Sequence, residues 1–265
     1  VFCYELMISE RFKELRKHNL TGFVPYLVAN YPNKDIFDEA LAALSNMGAD
    51  LIEIGIPFTD PIAEGKTIES AHHASLKNGF DLTNFLNQIK NFKNRFDTHI
   101  VAMGYANSFL NPSIEEVSQK SREAGFDGFL IVDMPYEETD TFKSIKDHDL
   151  EFIQLVAPTS TPENIKKGLS NNPSLIYYIT QRGVTGANNL NLTEVQNNLK
   201  NLQKITNVPI ITGFGIKSSE HIKAFKDYTD GIVIGSALIE CLANSNPIKS
   251  MKDFLAPILE ELKNE

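Results

Sequence analysis

Three carboxylates crowd one stretch of the chain, Leu51-Ile-Glu-Ile-Gly-Ile-Pro-Phe-Thr-Asp-Pro-Ile-Ala-Glu-Gly-Lys-Thr-Ile68. Glu53 stands inside an apolar, β-branched run, and Asp60 and Glu64 follow in a segment punctuated by Gly and Pro. In an extended strand Leu51, Glu53 and Gly55 face one way and Ile52, Ile54 and Ile56 the other. Glu53 is therefore carried wherever that strand is buried. A buried carboxylate without a partner costs several kcal/mol or keeps its proton toward neutral pH. The pattern reads as the acid/base end of an active site, with the three carboxylates on an equal footing at this point.

A second chemistry is written in glycine. Gly213-Phe-Gly215 and Gly235-Ser236 each close an apolar run, and Gly235-Ser236 leads into the helix-like segment 237–242. Alone, each glycine pair only makes a tight turn. Together, with the Ser236 hydroxyl, they let backbone N–H groups approach an anion at a helix start without Lys or Arg. Gln181-Arg-Gly-Val-Thr-Gly-Ala-Asn-Asn-Leu-Asn191 has the composition of a lid, with glycine hinges around a threonine. Tyr26, Tyr105, Asp133 and Tyr177 lie at or near the ends of apolar runs. Each tyrosine singly suits core packing, whereas converging they would form a flat pocket for an aromatic ligand. The six histidines, including His72-His73, show no metal-ligand spacing and are assigned to surface or packing roles; no metal is expected. No GxSxG elbow occurs, and Cys3 and Cys241 form neither a CxxC nor a Cys/His site.

The elements that position these residues recur along the whole chain. Apolar runs at 23–29, 51–56, 100–103, 128–132, 152–157, 175–180, 208–212 and 231–234 make eight candidate strands. Helical spacing falls between them at 36–47, 82–96, 114–124, 137–148, 162–169, 192–205 and 220–226. Strict alternation of short buried strands with helices signals a parallel sheet, and eight such units predict a TIM barrel, an α/β fold. An open doubly wound sheet is the competitor, but neither GxGxxG after a strand nor a Walker sequence is present. In a TIM barrel, strands seven and eight commonly hold a phosphate, which places both Gly-rich turns at that site. The long interval from strand two to strand three contains 60–79, more than a plain connection needs, and predicts an extra loop after strand two at the catalytic rim; another follows strand six. A helix at about 10–17 is expected to plug the barrel bottom, and 248–262 to form the last outer helix. Residues 1–265 are read as one domain, with 1–7 a poorly ordered N-terminal extension.

Composition bounds the partners. The chain of 265 residues carries a net charge of −9 and 42% hydrophobic residues, enough for a sizeable core. An acidic surface disfavours nucleic acid and anionic membranes, leaving small molecules or other proteins. No apolar run approaches a membrane span, and the N-terminal segment lacks the features of a signal peptide; a reducing cytoplasm is expected.

Seven motifs then meet a family. Phe23-Val-Pro-Tyr26, Ile52-Glu-Ile-Gly-Ile-Pro-Phe-Thr-Asp-Pro61, Tyr105-Ala-Asn107, Asp133-Met-Pro135, Gly183-Val-Thr-Gly186, Gly213-Phe-Gly-Ile216 and Gly235-Ser236 follow one another as in the tryptophan synthase alpha subunit, which the chain resembles from about Glu10 onward. The resemblance implies a TIM barrel that cleaves indole-3-glycerol phosphate to indole and glyceraldehyde 3-phosphate, a retro-aldol reaction with no metal or organic cofactor of its own. It implies a beta subunit carrying pyridoxal phosphate as partner, in an alpha2beta2 heterotetramer, with indole passing between them through a tunnel. Glu53 matches the family's general acid/base. Ala63-Glu-Gly-Lys66 stands where the family has Ala-Asp-Gly-Pro, so Glu64 matches the carboxylate that binds the indole N–H, one methylene longer. Tyr177 matches the tyrosine near the reacting carbon, and Tyr26, Met103, Tyr105 and Thr185 match the indole pocket. Gly186, Phe214, Gly215, Gly235 and Ser236 match the phosphate site, while Pro57, Asp60, Asn107, Asp133 and Pro135 match the partner interface. Glu64 and Lys66 motivate an alternative, a catalytically weak alpha-type subunit acting mainly as allosteric activator of the beta subunit.

Overall fold

The computed structural model describes residues 7–180, 192–213 and 218–263. Eight strands, β1 Gly22–Val28, β2 Leu51–Gly55, β3 His99–Gly104, β4 Gly128–Ile131, β5 Glu151–Val156, β6 Leu175–Ile179, β7 Ile210–Gly213 and β8 Gly231–Ile234, close into a barrel in chain order. Every neighbouring pair is parallel, including β1 with β8. The helices are α1 Ile8–Lys17, α2 Lys34–Asn46, α3 Lys66–Lys77, α4 Leu82–Lys93, α5 Ala106–Phe109, α6 Ile114–Ala124, α7 Thr139–Asp147, α8 Pro162–Leu169, α9 Leu192–Ile205, α10 Ser219–Phe225, α11 Ser236–Leu242 and α12 Pro247–Lys263. The expected TIM barrel is the observed fold.

Strand periodicity divides the core in two. Val24, Leu51, Val101, Leu130, Ile153, Leu175, Ile211 and Val233 pack inside the barrel, while alternate residues such as Ile52, Ile54, Ala102 and Ile176 pack outward beneath the helices. Both faces are covered, which is why the strands read as unbroken apolar runs. Helix α1 closes the bottom, as the sequence suggested. Its Ile8, Phe12 and Leu15 join the inner cluster, and a Cβ on Gly22 or Gly231 would meet the Phe12 ring at 2.7 or 2.6 Å. The glycines at the starts of β1 and β8 thus make room for the plug.

The bottom is also held by a repeated device. Asp50, Asp127 and Asp230 each precede a strand by one residue, and each accepts the backbone N–H of the neighbouring strand: Phe23 at 2.8 Å, Ile100 at 2.8 Å and Ile210 at 2.6 Å. Each also meets a cation. Arg11 pairs with Asp50 at 2.6 Å, Lys93 with Asp127 at 3.3 Å, and Arg16 grips both oxygens of Asp230 at 2.6 Å. Charge-assisted bonds of this kind are the strong ones.

The loop expected after β2 runs to Gly65, and a helix that the sequence spacing does not mark, α3, then fills 66–77. The helix buries Ile68, Ala71, His72 and Ser75, spacing that marks one helical face. Small and polar residues on that face weakened its signal in the sequence. The loop expected after strand six, 181–191, lies outside the described residues.

Candidate active site

Glu53 projects from the middle of β2 into the barrel, level in register with Tyr26 on β1 and Val101 on β3. It is fully buried, and neither carboxyl oxygen has a hydrogen-bond partner among the described residues. Burial, helped by the charge of Glu64, pushes its pKa up to about 8. Glu64 arrives from the loop after β2 and is 5% exposed; burial pushes it up to about 7. The Tyr105 hydroxyl fixes the loop just before it, accepting the Ala63 N–H at 2.9 Å, and the Tyr105 ring stacks on Phe58 at 5.0 Å. Two carboxyls thus face one enclosed space and titrate together near neutrality.

Tyrosines wall that space. Tyr26 and Tyr177 are both buried, and burial raises their phenols well above the ordinary value; the charge of Glu64 and then Glu53 adds to the effect on Tyr26, and Glu53 and then Glu64 on Tyr177. A Cβ on Gly55 would stand 2.1 Å from the Tyr26 hydroxyl, and one on Gly213 2.2 Å from that of Tyr177. At the strand ends of β2 and β7, these glycines leave the room that the phenol heads occupy. Met103, opposite Gly55 in register, is buried on the same inner face.

The Gly235-Ser236 turn, expected from the sequence to receive an anion, lies beside the aromatic wall. Gly235 caps α11 and Ser236 begins it, both half-buried, and a Cβ on Gly235 would stand 3.4 Å from the Tyr26 ring. The first N–H groups of a helix have no partner within it. Thr185, Gly186, Phe214 and Gly215, matched to the indole pocket or phosphate site, lie outside the described residues. Among the described residues no cluster of three His, Cys, Asp or Glu side chains could hold a metal ion.

At the rim, Asp60, Asn107, Asp133 and Pro135 are exposed, and Pro57 is buried. Asp133 accepts the Ala106 N–H at 2.6 Å and so holds the start of α5. Ile62, at 81% exposure, forms an apolar tip between Asp60 and Glu64. His72, assigned in the sequence only to surface or packing, is 1% exposed and touches the Tyr26 hydroxyl. The signal that marks it is its place on the Ile68, Ala71, Ser75 face of α3.

Residues 12–264 match the family model for the tryptophan synthase alpha chain. The chain belongs to the tryptophan synthase alpha chain family. Among curated members, the alpha chain of Prochlorococcus marinus subsp. pastoris is 34% identical over 97% of this chain and 92% of its own length. That of Aquifex aeolicus is 32% identical over 97% of this chain and 98% of its own. The solved tryptophan synthase subunit alpha of Legionella pneumophila superposes with a TM-score of 0.89 at 27% identity, covering 97% of this chain and 98% of that one. Tryptophan synthase alpha chains are lyases of tryptophan biosynthesis, and this chain is one of them. No helix among the described residues is long and apolar enough to cross a membrane.

Proposed function

We propose that the barrel cleaves indole-3-glycerol phosphate by a retro-aldol reaction, with Glu53 as proton shuttle and Glu64 as the partner of the indole N–H. The observation that carries this reading is a fully buried carboxyl without a hydrogen-bond partner among the described residues, its pKa pushed to about 8, beside a second one at about 7. Near neutral pH one carboxyl is then an acid while the other is partly charged, the division of labour that acid/base chemistry needs.

The steps balance. Protonated Glu53 gives its proton to indole C3, and the positive charge that spreads to the ring nitrogen is stabilised by the Glu64 carboxylate accepting the N–H. The bond from C3 to the hydroxyl-bearing glycerol carbon breaks, and its electron pair restores the aromatic ring. Glu53, now a carboxylate, takes the hydroxyl proton, so that carbon leaves as an aldehyde. Tyr177 borders the reacting carbon. Tyr26, Met103 and Tyr105, with Thr185, hold the ring, and Gly235 and Ser236, with Gly186, Phe214 and Gly215, hold the phosphate. Positioned general acid/base groups of this kind typically contribute 10²–10⁴-fold, roughly. The chain supplies this chemistry without a cofactor of its own.

The partner is a tryptophan synthase beta subunit, in an alpha2beta2 assembly in the cytoplasm, with pyridoxal phosphate on the beta side. The exposed Asp60, Ile62, Asn107, Asp133 and Pro135 around the barrel mouth support that docking face; an apolar tip ringed by polar groups suits a protein partner. Purified chain mixed with its beta subunit is expected to release indole from indole-3-glycerol phosphate. Normal substrate binding without indole release would overturn the assignment in favour of the activator role.

A further inference from the structure

His72 is a buried titratable group beside the mouth that the reaction above does not use. It lies on the inner face of α3, which packs on β1 and on α11. Its Nδ1 stands 3.2 Å from the Phe58 N–H. A backbone N–H only donates, so Nδ1 is the acceptor. Burial, with His73 nearby, lowers its pKa to about 4, and the ring is neutral. Its one proton is then on Nε2, and Nε2 is 3.3 Å from the Tyr26 hydroxyl oxygen. That oxygen receives the imidazole proton, so its own hydrogen points elsewhere. The space on its other side is the catalytic one: the hydroxyl lies over Gly55, one inward position past Glu53 on β2, and the charges of Glu64 and Glu53 act on it.

We propose that His72 is a positioning residue that sets the direction of a hydrogen-bond relay, Phe58 N–H to His72 to Tyr26, so that the Tyr26 hydroxyl hydrogen is kept on the side of the carboxyl pair, available to the Glu53 carboxylate once that carboxylate forms. The purpose follows from the retro-aldol reading, on which this inference rests. When Glu53 has given up its proton it is a carboxylate in a dry space, and a hydroxyl locked as donor stabilises it at that moment. The same relay ties the Phe58 end of the β2 loop to the barrel interior. A tyrosine free to rotate could turn its hydrogen toward His72 instead and leave the new carboxylate without a donor.

A double-mutant cycle with an independent spectroscopic arm tests this. His72→Asn keeps an acceptor near the Phe58 N–H but is too short for Tyr26. His72→Asn is expected to lower kcat for indole release about tenfold, the worth of one hydrogen bond to a charged group, with KM changed less than about twofold. In a Tyr26→Phe background the same change is expected to cost less than about twofold, because the group it directs is gone. Equal losses in both backgrounds, or none in either, would overturn the proposal. Nitrogen-15 spectra of the His72 ring in the full chain at pH 7.5 are expected to show the Nε2–H tautomer, with that resonance moved by Tyr26→Phe. An Nδ1–H tautomer overturns the relay whatever the activity. If the native chain releases no indole while the tautomer and its Tyr26 dependence are as expected, the retro-aldol reading falls and the direction of the hydroxyl stands.

Discussion

The two ends of the barrel treat the same functional group in opposite ways. At the bottom, Asp127 sits almost buried, and although burial pushes its pKa up, His99 and Lys93 more than offset that and hold it below the ordinary range. Asp230 gives both oxygens to Arg16 and a third bond to the Ile210 N–H. At the top, Glu53 is buried as deeply and neither oxygen has a partner among the described residues. A paired carboxylate keeps its charge and secures the fold; an unpaired one keeps its proton and can give it away. Size does not mark the difference. A cavity of about 730 Å³ opens at the bottom, lined by Lys13, Arg122, Lys146, Asp149 and Glu151 among others, and the Asp127 in its wall is already paired with Lys93.

The sharpest way to break the contrast is Glu53→Gln. Loss of the proton donor is expected to lower kcat about a thousandfold, and an effect under tenfold would remove Glu53 from the chemistry. The same substitution is expected to stabilise the fold. The native pKa lies near 8 against an ordinary 4.5. Between those values the native state holds a proton that the unfolded chain has released, so stability falls as pH rises through that window. The neutral amide escapes this loss, by something on the order of 3 kcal/mol at pH 7, read in thermal melts at pH 5 and 7. A gain that is the same at both pH values would contradict the raised pKa.

Next in size, Asp230→Ala at the other end removes both carboxylate bonds of Arg16, which keeps the Asn207 and Val208 carbonyls, and leaves the Ile210 N–H without its acceptor. About 3 kcal/mol of stability is expected to go, by urea unfolding, while kcat of the folded fraction is unchanged. Glu64→Asp shortens a carboxyl whose loop is already pinned at Ala63 by Tyr105. It is expected to lower kcat 10- to 100-fold, roughly the cost of a misplacement of about 1 Å. A gain in rate would instead mean that the longer side chain impairs this site and favour the activator reading. Tyr105→Phe, which removes only the hydroxyl that accepts the Ala63 N–H, is expected to have the smallest effect, about 1 kcal/mol in combined stability and rate. Across all of these, native kcat is expected to describe a bell in pH, its limbs belonging to the carboxyl pair near 7 and 8. Its alkaline limb is expected to vanish in the residual activity of Glu53→Gln.

Much of this contrast is legible in the sequence. Glu53 among isoleucines announces a buried carboxyl, and the eight runs announce the barrel around it, because alternation and apolar length are local properties. The proximity of Glu64 to Glu53 is visible only by resemblance, since it depends on how a loop of irregular backbone folds back over the mouth. Helix α3 carries a weak signal in the sequence because its buried face offers Ala71, His72 and Ser75 where a helix signal rests on large apolar residues. His72 itself reads as a surface or packing histidine, as nothing local says which polar residue a neighbouring strand will cover. The three aspartates at the bottom are one step before a strand in each case, but their cations come from α1 and α4, contacts that no short motif encodes.

The chemistry of the site turns on whether Glu53 holds its proton at neutral pH. Infrared difference spectra between the native chain and Glu53→Gln would read that carboxyl directly. The expected result is a protonated carboxyl band at pH 7 that is lost with a midpoint near 8; a band already that of a carboxylate at pH 6 would contradict it.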